Sequence, residues 1–157
     1  MQGNPEFMRQ AIELATQNVT SGRGGPFGAL IVRDGKVIAT GANLVTETHD
    51  PTAHAEVVAI RNACMAFNSF SLEGCEIYTS CEPCPMCLAA IYWSRMQGIF
   101  YSGTAADAAD AGFDDAFLYE ELKRPISARS IPAQALLKER GRESFDAWRS
   151  FIKRVKY

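Results

Sequence analysis

Long apolar runs are absent from this chain. None of its 157 residues lies in a stretch approaching the ~18 consecutive apolar residues that a bilayer-spanning helix requires. No membrane partner is therefore expected. The opening Met1-Gln2-Gly3-Asn4-Pro5 lacks the apolar centre of a secretion signal. Repeats and low-complexity segments are missing too, which disfavours solenoids and disordered linkers. An excess of charge is also missing, since 16 basic residues face 18 acidic ones for a net charge of −2. A large phosphate-binding surface needs clustered Lys and Arg, so no nucleic-acid partner is expected. Cysteine is too scarce and too uneven for a disulfide framework: there are five, an odd number, with three bunched at Cys81, Cys84 and Cys87. Such bunching, without a secretion signal, points to metal or catalysis in a reducing, cytoplasmic compartment.

What is present is the composition of a folded domain. Apolar residues make up 47% and charged residues 22%, which excludes a disordered chain. The length suits one domain, residues 1–157, with a real core. Phe7, Met8, Ala11, Ile12, Ala15 and Val19 recur at helical spacing, and the Ser21–Pro26 stretch breaks that helix. Residues 29–33 and 36–40 flank Asp34-Gly35, a two-residue hairpin signal. Asp50-Pro51 reads as the cap and first position of a helix running to about Phe67. Residues 76–79 and 98–101 read as buried strands with a helix Pro85–Trp93 between them, and that crossover predicts parallel neighbours. The fold class expected is α/β. Residues 123–132 form a Pro-punctuated connector, followed by a helical apolar stripe of Phe145, Trp148, Phe151, Ile152 and Val155. Arg149, Lys153, Arg154 and Lys156 crowd the end of that stripe, where cations complement a helix macrodipole.

Two segments carry chemistry: His54-Ala55-Glu56 and Pro83-Cys84-Pro85-Met86-Cys87. Cysteines three apart on a first helical turn present their sulfurs to nearly one side. With His54 they make two thiolates and one imidazole, which leaves the fourth tetrahedral position of a zinc ion open to water, as in catalytic sites. Helix N-termini stabilise thiolates and offset the loss of net charge on such a metal. Glu56, two residues from His54, is on another helix face and is free to act as a base on that water. The competing readings are plain ones. C-x-x-C alone is redox-active or structural in many proteins. The Cys81, Cys84, Cys87 run also begins like an iron–sulfur ligand series, but Ile91 stands where the next cysteine would be. A closed Cys₃His zinc module, with Cys81 as fourth ligand and no catalysis, is the non-enzymatic alternative. Cys64 and Cys75 read as apolar fillers.

The pairing of H-A-E with P-C-P-M-C fits the H-x-E…P-C-x-x-C signature of zinc nucleobase deaminases. Over nearly its whole length the chain resembles the bacterial guanine deaminases of the cytidine deaminase fold. Gly25-Pro26-Phe27-Gly28-Ala29, Asn43, the stretches 50–56 and 78–87, Ala90–Trp93, Ala111-Gly112-Phe113-Asp114-Asp115 and the ending Ala147-Trp148-Arg149 to Tyr157 carry the resemblance. It implies a three-layer α/β/α sandwich around a mixed five-stranded sheet. It implies one Zn²⁺ per subunit on His54, Cys84 and Cys87, and zinc-bound hydroxide with Glu56 as proton shuttle. It further implies that Asn43 and Asp115 hydrogen-bond a purine between Phe27 and Trp93, with Ala55 also in the substrate site. Residues 133–157 would be exchanged in a homodimer, so that Tyr157 closes the partner's site. The implied reaction is hydrolytic deamination of guanine to xanthine and ammonia. Guanosine deamination and tRNA adenosine deamination are the enzymatic alternatives. Asn43 as a strand terminator, Phe27 and Trp93 as core and Asp115 as a helix cap are the plain readings of those four.

Overall fold

A computed structural model describes residues 2–113 and 115–157, Asp115 by its backbone alone. Two compact units divide the chain, Met1–Tyr119 and Glu120–Tyr157. The first unit is built on a sheet of four strands: β1 (Gly28–Arg33), β2 (Lys36–Ala42), β3 (Glu76–Cys81) and β4 (Gly98–Gly103), in the order β2-β1-β3-β4. The first two pairings are antiparallel and β3 runs parallel to β4. The sheet is thus mixed, as expected, but the fifth strand implied by the resemblance is not among the described residues. After β4 the chain enters α5 (Ala105–Asp110) and α6 (Asp115–Lys123), then a 3₁₀ turn at Ile126–Ala128. α5 is alanine-rich, α6 repeats Leu118 and Leu122 at helical spacing and the 3₁₀ turn follows Pro125, and none of them has the alternation that pairs with a sheet edge.

Period-two alternation in β1 sends side chains to both faces, and both are covered. Ala29 and Ile31 join Ile77 under α3 (Ala55–Phe67) and α4 (Pro85–Trp93), together with Ala55, Ala59, Ala63 and Ile91. Leu30 and Val32 join Tyr78 on the opposite face, against Ala11, Phe7, Met8 and Leu14 of α1 (Pro5–Thr20). The Tyr78 ring stacks on Phe100 at 4.6 Å and meets the edge of Phe7 at 5.3 Å. This is the expected helix–sheet–helix layering. Cys75 is fully buried in the first cluster and Cys64 packs at its margin, which suits their reading as fillers.

Glycine and alanine bring the layers close. A Cβ at Gly41 would lie 2.2 Å from the Ala55 carbonyl oxygen and 2.5 Å from the Ala59 nitrogen, so β2 touches the backbone of α3 directly. The Asp34-Gly35 turn is as read, with both residues at positive φ, 50° and 71°. The helix expected from Asp50-Pro51 starts later, at Ala55. The Asp50 carboxylate instead accepts the Thr52 N–H at 2.8 Å and the Thr52 hydroxyl at 2.7 Å, closing a tight turn that competes with the helix. A short helix, α2 (Val45–Thr48), precedes that turn.

In the second unit α7 spans Glu143–Ser150, shorter than the apolar stripe suggested. Phe151 caps it in extended conformation, so Ile152, Val155 and the last basic residues lie beyond the helix. Phe145 and Trp148 are exposed on it. Among the described residues, no helix is long and apolar enough to cross a membrane.

Gly41→Ala is expected to force α3 off β2 and to lower unfolding stability by about 1–3 kcal/mol, the usual cost of overpacking. Urea denaturation of the variant measures it.

Candidate functional site

His54, Cys84 and Cys87 come together outside the carboxyl end of β3. There the chain passes from β3 through Glu82-Pro83 into α4, whose N-cap is Cys84 and whose first residue is Pro85. Proline suits that first position because its missing N–H is not needed there. Across the site α3 begins with His54 as its N-cap. Both N-cap residues are extended, and neither side chain caps its own helix. Each side chain is therefore available to turn towards the other, and two helix N-termini, each with a partial positive charge, face one spot.

His54, Cys84 and Cys87 place their ligand atoms within 4.8 Å of one another, the one such metal-holding group among the described residues. Cys84 Sγ lies 3.6 Å from His54 Nδ1. Zinc–sulfur and zinc–nitrogen bonds of about 2.3 and 2.05 Å at a tetrahedral angle would put such atoms about 3.6 Å apart, so the set fits a zinc ion. The donors are soft sulfur and imidazole, the combination zinc favours. Hydrogen bonding from Cys87, and next from His54, lowers the Cys84 thiol to about 4, whereas Cys87 is pushed up by the bond it gives Cys84 and by burial. One thiolate is thus ready to bind cation, with a thiol beside it.

Glu56 sits one residue into α3, 5% exposed. Burial raises its carboxyl above the usual range for glutamate. The Thr79 hydroxyl of β3 donates to its Oε1 at 3.1 Å. A carboxyl raised in this way holds a proton more readily than an exposed glutamate, which suits a general acid–base.

Glu56, His54 and Cys84 line a cavity of ≈ 520 Å³ with Phe27, Asn43, Glu82 and Phe113. That volume is in the range of small-molecule pockets. The Asn43 N–H donates to the Phe27 carbonyl at 3.1 Å, and the Asn43 Oδ1 accepts the Val45 N–H at 3.3 Å. The Phe27 and Phe113 rings meet edge-to-face at 4.8 Å. Phe113 and Glu82 are lining residues that sequence reasoning did not assign, though both fall within quoted motifs. Glu82 is tied to the start of α5, its Oε2 accepting the Ala105 N–H at 3.1 Å.

Not every expected residue converges here. Ala55 packs its side chain into the core, leaving only its main chain near the site. Trp93 ends α4, is 61% exposed and carries the Arg95 guanidinium 5.6 Å over its ring, away from the lining set. The Asp115 side chain lies outside the described residues. Its helix is held to the zinc-motif loop by the Tyr119 hydroxyl, which donates to the Pro83 carbonyl at 2.8 Å. Tyr157 belongs to the second unit. Cys81 is no part of the ligand group: its thiol donates to the Thr104 carbonyl at 3.4 Å, tying the end of β3 to the end of β4. The closed Cys₃His module therefore lacks its fourth ligand, the third thiolate.

Comparison with known proteins gives the same site a lineage. The model of the cytidine and deoxycytidylate deaminase zinc-binding region matches residues 1–103. The chain is 50% identical over 151 residues to guanine deaminase of Bacillus subtilis strain 168, covering 96% of this chain and 97% of that one. The X-ray structure of guanine deaminase from Bacillus subtilis superposes with a TM-score of 0.96 at 49% identity, covering 99% of both chains. The tRNA-specific adenosine deaminase of Aquifex aeolicus is 42% identical over 100 residues, covering 64% of this chain and 66% of that one.

Metal analysis distinguishes the cysteines. Cys81→Ser is expected to retain about one zinc per chain, and Cys84→Ser or Cys87→Ser to lose it, as measured by elemental analysis after dialysis.

Proposed function

The chain belongs to the cytidine and deoxycytidylate deaminase zinc-binding family, and on that premise we propose that it hydrolyses guanine to xanthine and ammonia. One observation carries the choice of substrate. The similarity to a guanine deaminase runs through 96% of the chain, whereas that to a tRNA deaminase covers 64%. A net charge of −2 also suits a free base better than a polyanion.

His54, Cys84 and Cys87 hold the zinc. Bound there, the metal supplies a Lewis acid that makes a water nucleophilic at neutral pH. Glu56 does the proton work. Its buried carboxylate takes a proton from the attacking water as the C2–oxygen bond forms. It passes that proton to the ring nitrogen, then takes the remaining proton of the new C2 hydroxyl and gives it to the departing amine as the C2–nitrogen bond breaks, leaving a C2 carbonyl and ammonia. Thr79 fixes the carboxylate so that one oxygen is turned to this task. Asn43 and Asp115 hydrogen-bond the purine, Phe27 packs on its face, and the main chain of Ala55 adds a donor at the helix N-terminus. Exclusion of water by these apolar walls strengthens each of these electrostatic terms.

Residues 133–157 are exchanged in a homodimer, so that Tyr157 of a second copy, together with Trp93, completes the site. The separate compactness of Glu120–Tyr157 and the exposed Phe145 and Trp148 support this arrangement.

Ammonia release from guanine is expected for the zinc-loaded protein, with much slower release from guanosine and none from tRNA. Glu56→Gln should retain zinc yet lose about 10²–10⁴-fold in kcat, the usual worth of a general acid–base. Unchanged turnover would remove Glu56 from its role. The exchange has its own test: mixing Glu56→Gln chains with chains cut after residue 132 should restore activity that neither has alone. Refolded mixtures without activity would rule the exchange out.

A further inference from the structure

Asn18 lies on α1, on the opposite face of the sheet from α3 and α4, and has no place in the chemistry above. Its side chain is nevertheless buried, 3% exposed. Its Nδ2 donates to the Gly25 carbonyl at 2.9 Å and to the Asn43 carbonyl at 2.8 Å. Both partners are acceptors, so only the NH₂ end of the carboxamide can face them. The Oδ1 end is turned away, buried and without a hydrogen-bond partner. An orphaned buried acceptor is costly, and here it accompanies a double donation made across 7 and 25 residues of sequence.

The backbone around that NH₂ group is tight. A Cβ at Gly24 would stand 2.2 Å from the Asn43 carbonyl oxygen and 3.0 Å from Asn18 Nδ2, and one at Gly25 would touch the Asn43 side chain at 3.6 Å. Gly24, Gly25 and Asn43 all line the cavity, and Asn43 is further tied to Phe27. One amide group therefore joins the rigid helix α1 to the two backbone segments that carry the ring and the carboxamide facing the substrate.

We propose that Asn18 is a positioning residue for purine recognition, holding Asn43 and the Gly25–Phe27 loop in their binding arrangement before substrate arrives. The proposal rests on the reading of Asn43 as a purine contact. Groups held in place in advance bind without paying to be ordered, and small displacements of a contact are expensive. Asn18 touches neither zinc nor substrate, so its loss acts through Asn43.

Steady-state kinetics on guanine with the zinc-loaded protein test this. Asn18→Asp keeps the shape but sets oxygens against two carbonyls, and is expected to raise KM about tenfold or more with zinc content unchanged and kcat less affected. Asn18→Ser, which keeps one donor without the charge, gives the same direction of change should the aspartate variant fail to fold. Because Asn18 acts through Asn43, adding Asn18→Ala to Asn43→Ala should leave kcat/KM near that of Asn43→Ala alone. A lowered Tm with wild-type KM in the Asn18 variants, or two losses that simply multiply, would overturn the proposal. Wild-type kinetics in Asn43→Ala alone would instead overturn the purine-contact reading, and the proposal with it.

Discussion

Two helices begin at the same place, and the first unit is arranged to allow it. The N-termini of α3 and α4 meet beyond the end of β3, each started by an extended residue whose side chain is spent on the site rather than on capping. Helix starts leave N–H groups unsatisfied and carry partial positive charge. Concentrating two of them beside a cysteine pair, an imidazole and a buried carboxylate makes an otherwise costly polar cluster tenable. The Gly41 contact with Ala55 and Ala59 sets how closely α3 approaches the sheet, hence where His54 stands. On the other side, the parallel pairing of β3 with β4 and the Cys81–Thr104 bond fix the strand end from which Cys84 departs.

The carboxyl of Glu56 and the thiol of Cys84 respond to this cluster in opposite ways. Burial dominates at Glu56 and raises it; hydrogen bonding dominates at Cys84 and lowers it. The difference divides the labour. A thiolate is prepared to bind a cation, and a carboxyl is kept within reach of proton exchange. Thr79, on the strand between the layers, meets the carboxyl and so links the sheet to the chemistry.

Much of this was legible in the amino-acid order because it is local. Asp34-Gly35 demands positive φ, Pro85 demands a helix start, and a cysteine three residues after another lands on the same side of a first turn. Where a local signal had two uses, the reading slipped. Asp50-Pro51 looks like a helix start, but the aspartate closes on Thr52 instead. Cys81 shares the ligand spacing but stands before Pro83 and the helix start, and it lies outside the metal group, with its thiol given to Thr104. Asn18 gave no signal at all: an asparagine late in a helix is unremarkable until the chain brings Gly25 and Asn43 to it. Phe113 was hidden for the same reason, since it meets Phe27 across 86 positions of sequence.

The boundary of the family match near residue 103 separates two kinds of information. Before it lie His54, Glu56, Cys84 and Cys87, the sheet and the helices that support it. Beyond it come Phe113, the start of α6 and the second unit, whose side chains lie outside the ligand cluster. Phe113 already reaches the cavity to pack on Phe27, and Tyr119 fastens α6 to the carbonyl of Pro83, one residue before the ligand Cys84. A segment so tied can be remodelled without disturbing the metal geometry, while still reshaping the wall that a substrate sees. Within the first unit, Phe113 is thus a point where the cavity wall can vary without touching the ligand cluster. The chain is similar to a guanine deaminase over 151 residues, and to the tRNA-specific adenosine deaminase of Aquifex aeolicus over 100.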